Sequence, residues 1–155
     1  MHKLFRHKNL IVAAAFLATM ALTTVAAHAQ LVGELEANIP FAFHADNARL
    51  PAGEYYLRQA EDMDINILEI ESANKNMAAF VLTESSQPSP VPRTSELTFD
   101  KIGNQYFLRG ITVDDSSLGY TLVKSKAEVK AAKHNAKIET HKLTVKHNKV
   151  KISKR

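Results

Sequence analysis

Cysteine and tryptophan are both absent from the 155 residues. Without cysteine there is no disulfide, and no lipid-modified cysteine can follow an export signal. A folded domain here rests on its core alone. Glycine is sparse, with five residues scattered singly, so no glycine-rich phosphate loop exists. No nucleophile elbow occurs, and Ser, Thr and His stand in no other catalytic spacing. No apolar run after the first thirty residues is long enough to span a bilayer. These absences argue against an enzyme and leave no cofactor to expect.

What is present begins with an export signal. Lys3, Arg6 and Lys8 make a basic start without acids, Leu10 to Leu22 is apolar apart from Thr19, and Ala27-His28-Ala29 has the Ala-x-Ala form of a cleavage site. The expected cut lies between Ala29 and Gln30. The alternative is an uncleaved anchor. Leu10 to Ala27 is short against the ~20 residues of a bilayer span, and Thr23 and Thr24 weaken it further. The expectation is a periplasmic or extracellular protein with no transmembrane segment after cleavage.

Charge is divided along the chain. Residues 30–123 carry 6 Lys and Arg against 14 Asp and Glu, and residues 124–155 carry 11 against 2. An acidic body of net −8 is followed by a basic tail of net +9. The expected organisation is a signal peptide over 1–29, a β domain over 30–123 and a basic C-terminal helix and tail over 124–155.

Period-two patterning runs through the acidic body. Leu35, Ala37, Ile39, Phe41 and Phe43 alternate with Glu34, Glu36, Asn38, Pro40 and Ala42, which predicts a strand bent or at an edge near Pro40. Residues 44–51 read as a connection and Pro51-Ala52-Gly53 as a tight turn. Further strands are predicted over 53–59, 65–71 and 77–83, with a bulge or two-sided burial at Ile67-Leu68 and a central place for 77–83, apolar on both faces. Residues 84–94, with three prolines, predict one long loop. Gly103-Asn104 between 95–102 and 105–114 is the clearest hairpin signal, and 120–123 gives a last short strand. About seven strands with short turns predict an antiparallel β-sandwich or small β-barrel.

From Lys124 the composition changes. Ser125 with Glu128 three residues on resembles a capping box, and the Ala, Lys and Glu content predicts a helix from Lys126 to about Lys142. Leu143 to Ile152 is more strand-like. The tail carries the strongest physical signal, and Lys130, Lys133, Lys137, Lys142, Lys146 and Lys149 are its candidate anion-binding residues. Their expected partners are anionic lipid, lipopolysaccharide or acidic polysaccharide. The tail holds no aromatic residue, which argues against base stacking and so against a specific nucleic-acid partner. The competing expectation is that the tail folds back on its own acidic body.

The histidines and the remaining charged residues give weaker candidates. His134 and His141 on one helix lie two turns apart, about 10 Å along the axis, too far to share a metal ion. His44, Asp46 and Glu54 read as ordinary loop polar groups rather than an acid–base set. Arg109 stands out among the apolar residues of its strand, where pairing or an edge position is the plainer expectation. The acidic turn over 61–64 lacks the spacing of a calcium loop.

Five segments, Ile39-Pro-Phe-Ala-Phe-His44, Leu50-Pro-Ala-Gly-Glu-Tyr55, Leu97-Thr-Phe99, Gly103-Asn-Gln-Tyr-Phe-Leu108 and Ser125-Lys-Ala-Glu128, resemble a family of small, exported, uncharacterised bacterial proteins. The resemblance spans roughly residues 35–130. It implies a signal peptide and a β-rich domain, and it carries over no catalytic or binding residue. The expected function is that of a non-enzymatic interaction protein of the envelope or extracellular space, its tail contacting an anionic surface. The alternative is a small β-barrel binding an apolar small molecule.

Overall fold

The computed structural model describes residues 33–60, 63–64, 66–134 and 137–149. The signal segment, its cleavage point and the first half of the acidic turn over 61–64 lie outside them. Among the described residues, ten strands and one helix follow in chain order. They are β1 (Glu34–Ile39), β2 (Phe43–Ala45), β3 (Ala48–Leu50), β4 (Gly53–Gln59), β5 (Ile67–Ser72), β6 (Ala78–Ser86), β7 (Ser95–Ile102), β8 (Gln105–Thr112), β9 (Gly119–Leu122), α1 (Lys126–His134) and β10 (Ile138–Asn148).

Eight of the strands close an antiparallel barrel in the order β8-β7-β10-β1-β4-β5-β6-β9, with β9 pairing back onto β8. The choice between sandwich and barrel thus resolves to a barrel. The remaining two strands form a small hairpin, β2–β3, whose β2 runs parallel to β8. The sequence predicts a plain connection there. Asp46 at φ 51° makes the tight turn, and Asn47 donates to its carboxylate at 3.0 Å.

The inward residues follow the period of two. Leu35, Ala37 and Ile39 of β1, Tyr55 and Leu57 of β4, Leu68 and Ile70 of β5, and Leu97 and Phe99 of β7 are all buried. Burying each large side chain contributes about 1.5–3 kcal/mol, which is how a domain without disulfides is held. An eight-stranded barrel is just wide enough for side chains to fill. The β2–β3 hairpin adds Phe43, Ala45 and Leu50 to the core. Its Phe43 meets Tyr55 at 5.3 Å and Phe99 at 5.6 Å, both edge to face, and Phe41 stacks on Tyr106 at 3.9 Å.

The strand, turn and cap residues singled out in the sequence take up these structural positions. Phe41 and Phe43 both pack on Phe99. The Tyr55 hydroxyl donates to Pro51 O at 2.7 Å and locks the turn before β4. Gly103, at φ 60°, makes the β7–β8 turn, a conformation that favours glycine. Ser125 caps α1, its Oγ accepting from Glu128 N–H at 3.1 Å.

The C-terminal region differs from expectation. The helix ends at His134, and residues 138–148 form the longest strand of the barrel. β10 fills the gap between β1 and β7, pairing with β7 from Ile138 to Val145 and with β1 at Lys146 to Asn148. Residues 138–148 are therefore a barrel wall, not a separate tail. The helix expectation fails there because Ile138 to Asn148 alternates. Leu143, Val145 and His147 turn toward the interior side while Lys142, Thr144 and Lys146 stay exposed, and two open neighbouring edges outweigh helix propensity.

Smaller differences have equally local causes. β6 is flanked on both sides but is not buried on both faces, since Phe80 and Leu82 face outward and stand about half exposed. It also runs on to Ser86 and shortens the proline-rich loop. No register shift occurs at Ile67-Leu68, where the ladder is regular. The irregularity lies between β7 and β8, where Phe99 pairs with Leu108 but Thr98 with Gly110, leaving Arg109 as the extra residue.

Candidate functional site

The helix face is built by its cap and by one buried carboxylate. Ser125 sets the start of α1, and Glu128 in the first turn is buried, at 4 % exposure. Burial pushes the Glu128 carboxyl up, the positive charges of Lys124 and Arg109 pull it down, and Asp100 opposes them. Lys124 Nζ lies 3.9 Å from Glu128 Oε1. Arg109, the bulged residue of β8, donates to the Leu122 carbonyl. The inward side of α1 is thus held on the barrel, and its outward side is left to Lys126, Val129, Lys130 and Lys133.

Those four residues, with Lys124, line a shallow cleft of about 260 Å³. Lys126, Lys130 and Lys133 fall at i, i+4 and i+7, so they share one face of the helix. Val129 sits among them, 41 % exposed. Among the described residues no carboxylate lies within ion-pair distance of Lys126, Lys130 or Lys133. The arrangement is a compact cationic patch with an apolar centre, suited to phosphate or carboxylate groups at a surface.

The other candidate lysines meet a different environment. Lys142 Nζ is 3.1 Å from Glu96 and Lys146 Nζ is 2.9 Å from Glu36, each reaching a neighbouring strand. Lys149 bridges Asp114 at 2.8 Å and Asp115 at 3.1 Å, and Lys137 pairs with Glu139 at 2.7 Å. The structure brings Lys130 and Lys133 together and places the other four in β10 or directly beside its ends, each against a carboxylate. The acidic body and basic tail therefore neutralise each other along β10 and leave cations unmatched on α1. Lys124 and Lys126, absent from the candidate set, complete the patch; the cap at Ser125 was the available signal, because it fixes which lysines follow on the helix.

The strongest polar cluster elsewhere is structural in character. Asp114 Oδ1 accepts from Ser95 Oγ at 2.8 Å and lies 2.6 Å from His147 Nδ1, while Asp114 N–H donates to Ser95 Oγ at 3.0 Å. Lys149 first, then Ser95 and His147, hold the Asp114 carboxyl well below the usual carboxylate range. This resembles a Ser–His–Asp set only in composition. A nucleophilic Ser must bond the base, whereas Ser95 bonds the acid and its amide and is buried. The ring ties the start of β7, the end of β8 and the end of β10 together.

The histidines are dispersed. His134 Nδ1 lies 2.8 Å from Lys130 O, His141 faces Glu139 at 3.8 Å and the Tyr106 ring at 5.4 Å, and His147 joins Asp114. No group of three metal-ligating side chains gathers among the described residues. His44 stacks on Phe107 at 4.9 Å, and burial, then Arg49, lowers its pKa. Arg58, on the outer face, is shared by Glu69 at 3.0 Å, Glu71 at 2.9 Å and Glu34 at 3.5 Å.

A second cleft, of about 320 Å³, is lined by Pro51 to Tyr55 and by the β5–β6 turn. Its polar groups are largely satisfied internally, with Ser72 Oγ donating to Asn74 at 2.8 Å and Tyr55 to Pro51 O. No family model matches the chain, and no curated protein or solved structure is significantly similar to it.

Proposed function

We propose that the protein is an exported, non-enzymatic interaction protein of the cell envelope or extracellular space, and that it contacts an anionic surface through α1. The observation that carries this reading is the contrast between two sets of lysines. Those of β10, and Lys149 just after it, are matched by Glu36, Glu96, Asp114 and Asp115, while Lys126, Lys130 and Lys133 surround Val129 on an exposed helix face. The basic, apolar and Ala-x-Ala parts of residues 1–29 support export. Anionic lipid, lipopolysaccharide and acidic polysaccharide share the phosphate or carboxylate chemistry this patch fits.

An apolar ligand inside the barrel has less support. The inward aromatics Phe43, Tyr55 and Phe99 are buried against one another, as in a packed core.

The test is a pair of charge reversals. K130E/K133E removes the patch, and K142E/K146E removes the same number of positive charges from β10. Binding to vesicles containing phosphatidylglycerol should fall at least about tenfold in the first variant, each lysine near an anionic surface being worth ~1 kcal/mol. The second variant should retain most binding, provided circular dichroism shows it folded. Equal loss in both would leave only net charge as the cause and refute a helix-centred site.

A further inference from the structure

The outer face of β6 is apolar, and the register extends it onto the strands at either side. Thr83 of β6 pairs with Leu122 of β9, and both are buried toward the interior. The next residue of each strand points the other way. One step along the ladder, Val123 therefore stands opposite Leu82 on the outside of the barrel. On the other side of β6, Ile67 of β5 pairs with Leu82 and is half-buried. Ile67, Leu82 and Val123 thus form one apolar row across three strands. Phe80, two residues before Leu82, shares its face and widens the row. Phe80, Leu82 and Val123 are 51 %, 57 % and 48 % exposed.

Two observations say what this row meets. The first is continuity. Val123 is followed at once by Lys124, which lines the cleft of α1 with Lys126, Val129, Lys130 and Lys133. The apolar row leads directly into the cationic patch. The second is chemistry. The side chains of Ile67, Phe80, Leu82 and Val123 carry no hydrogen-bonding group, so a hydrated partner gains nothing from them. The carboxylates beside the row do not reverse its charge balance. Glu69 and Glu71 on β5 are held by Arg58 at 3.0 and 2.9 Å, and Glu84, two residues after Leu82, bounds the apolar stretch of β6.

We infer that the row enters the acyl boundary of an anionic bilayer while the lysines of α1 engage its headgroups, an inference that rests on the anion-contacting role proposed for α1. An apolar face bordered by lysines is the arrangement by which protein segments lie in a membrane interface. Lysine stems reach up to the phosphates while neighbouring apolar side chains sit below them. The lysines call for an anion and the row for an apolar phase, and a bilayer of anionic lipid supplies both at one surface. An acidic polysaccharide supplies the anion alone and leaves the row in water.

The chain has no tryptophan, so F80W places a single reporter on the row. In the mature protein its emission should shift to the blue on addition of phosphatidylglycerol vesicles and be quenched by lipids brominated on their acyl chains. T144W, on the exposed side of β10 and four strands from β6 in either direction round the barrel, should show neither effect. F80S/L82S should keep its circular dichroism spectrum, both side chains being outward, and lose at least about tenfold in affinity for the vesicles. Its binding to heparin, an anion without an apolar phase, should not change, whereas K130E/K133E should weaken binding to both. Vesicle binding without a shift of F80W, or binding to heparin alone, overturns the inference and leaves the helix reading in place. No binding to either removes both. A blue shift that appears with rising protein concentration in the absence of vesicles also overturns the inference, because it assigns the row to a second copy. The F80W readout decides even where F80S/L82S fails to fold.

Discussion

Removing β10 should abolish the fold, although residues 124–155 read as an appendage by composition. The perturbation is a chain ending at residue 137. β10 makes eight paired positions with β7 and three with β1. A ladder provides about one hydrogen bond per paired position, and each is worth a net ~0.5–1.5 kcal/mol, so roughly 5–15 kcal/mol is at stake. Leu143 and Val145, half-buried against the core, add about 1 kcal/mol each. The loss matches or exceeds the whole stability of a typical domain, about 5–15 kcal/mol. It also exposes the facing edges of β1 and β7, which invites aggregation. Far-UV circular dichroism and thermal unfolding of the mature and truncated chains would measure this. The expected result is loss of the cooperative transition. A truncated chain that still melts cooperatively within a few degrees of the mature one would refute the account of β10 as a barrel wall.

Three further outcomes are expected. Ser125→Ala removes the cap of a nine-residue helix and should cost about 1 kcal/mol, read by chemical denaturation, with weaker vesicle binding because α1 frays. Asp114→Asn should destabilise by about 1–3 kcal/mol at neutral pH. The folded pKa of Asp114 is depressed, so its contribution is present above the ordinary value of 3.8 and is lost as pH falls toward the folded value. The gap between wild type and Asp114→Asn should therefore narrow below about pH 4, and a gap independent of pH would contradict the assignment. Mass spectrometry of the protein recovered after export should give an amino terminus at Gln30, and an intact Met1 would contradict cleavage.

Much of the barrel was legible because its strands carry their own period. Gly53–Gln59 and Ser95–Ile102 appear with the bounds that alternation and turn residues indicate. What was hidden depends on neighbours. β10 reads as helix over its first residues because Lys and Glu favour helix locally, while its strand state comes from two distant edges. The β2–β3 hairpin has strands of three residues, too short for a period to show. The outer face of β6 looked like core because Phe80 and Leu82 are apolar, and a sequence does not reveal which apolar face is left uncovered. For the candidate site, the charge division pointed to the correct region but not to the correct lysines. Lys142, Lys146 and Lys149 face carboxylates more than thirty residues away in sequence, and that matching appears only once the strands are in register.

The most direct measurement is co-sedimentation of the mature protein with vesicles of phosphatidylglycerol and phosphatidylcholine, against phosphatidylcholine alone, across a salt series. The account predicts binding only to the anionic vesicles, declining steadily as salt rises through the physiological range, where charges beyond about 8 Å are screened. K130E/K133E should lose that binding at every salt concentration. Binding that ignores salt, or no binding to either vesicle at low salt, would contradict an anion-contacting helix.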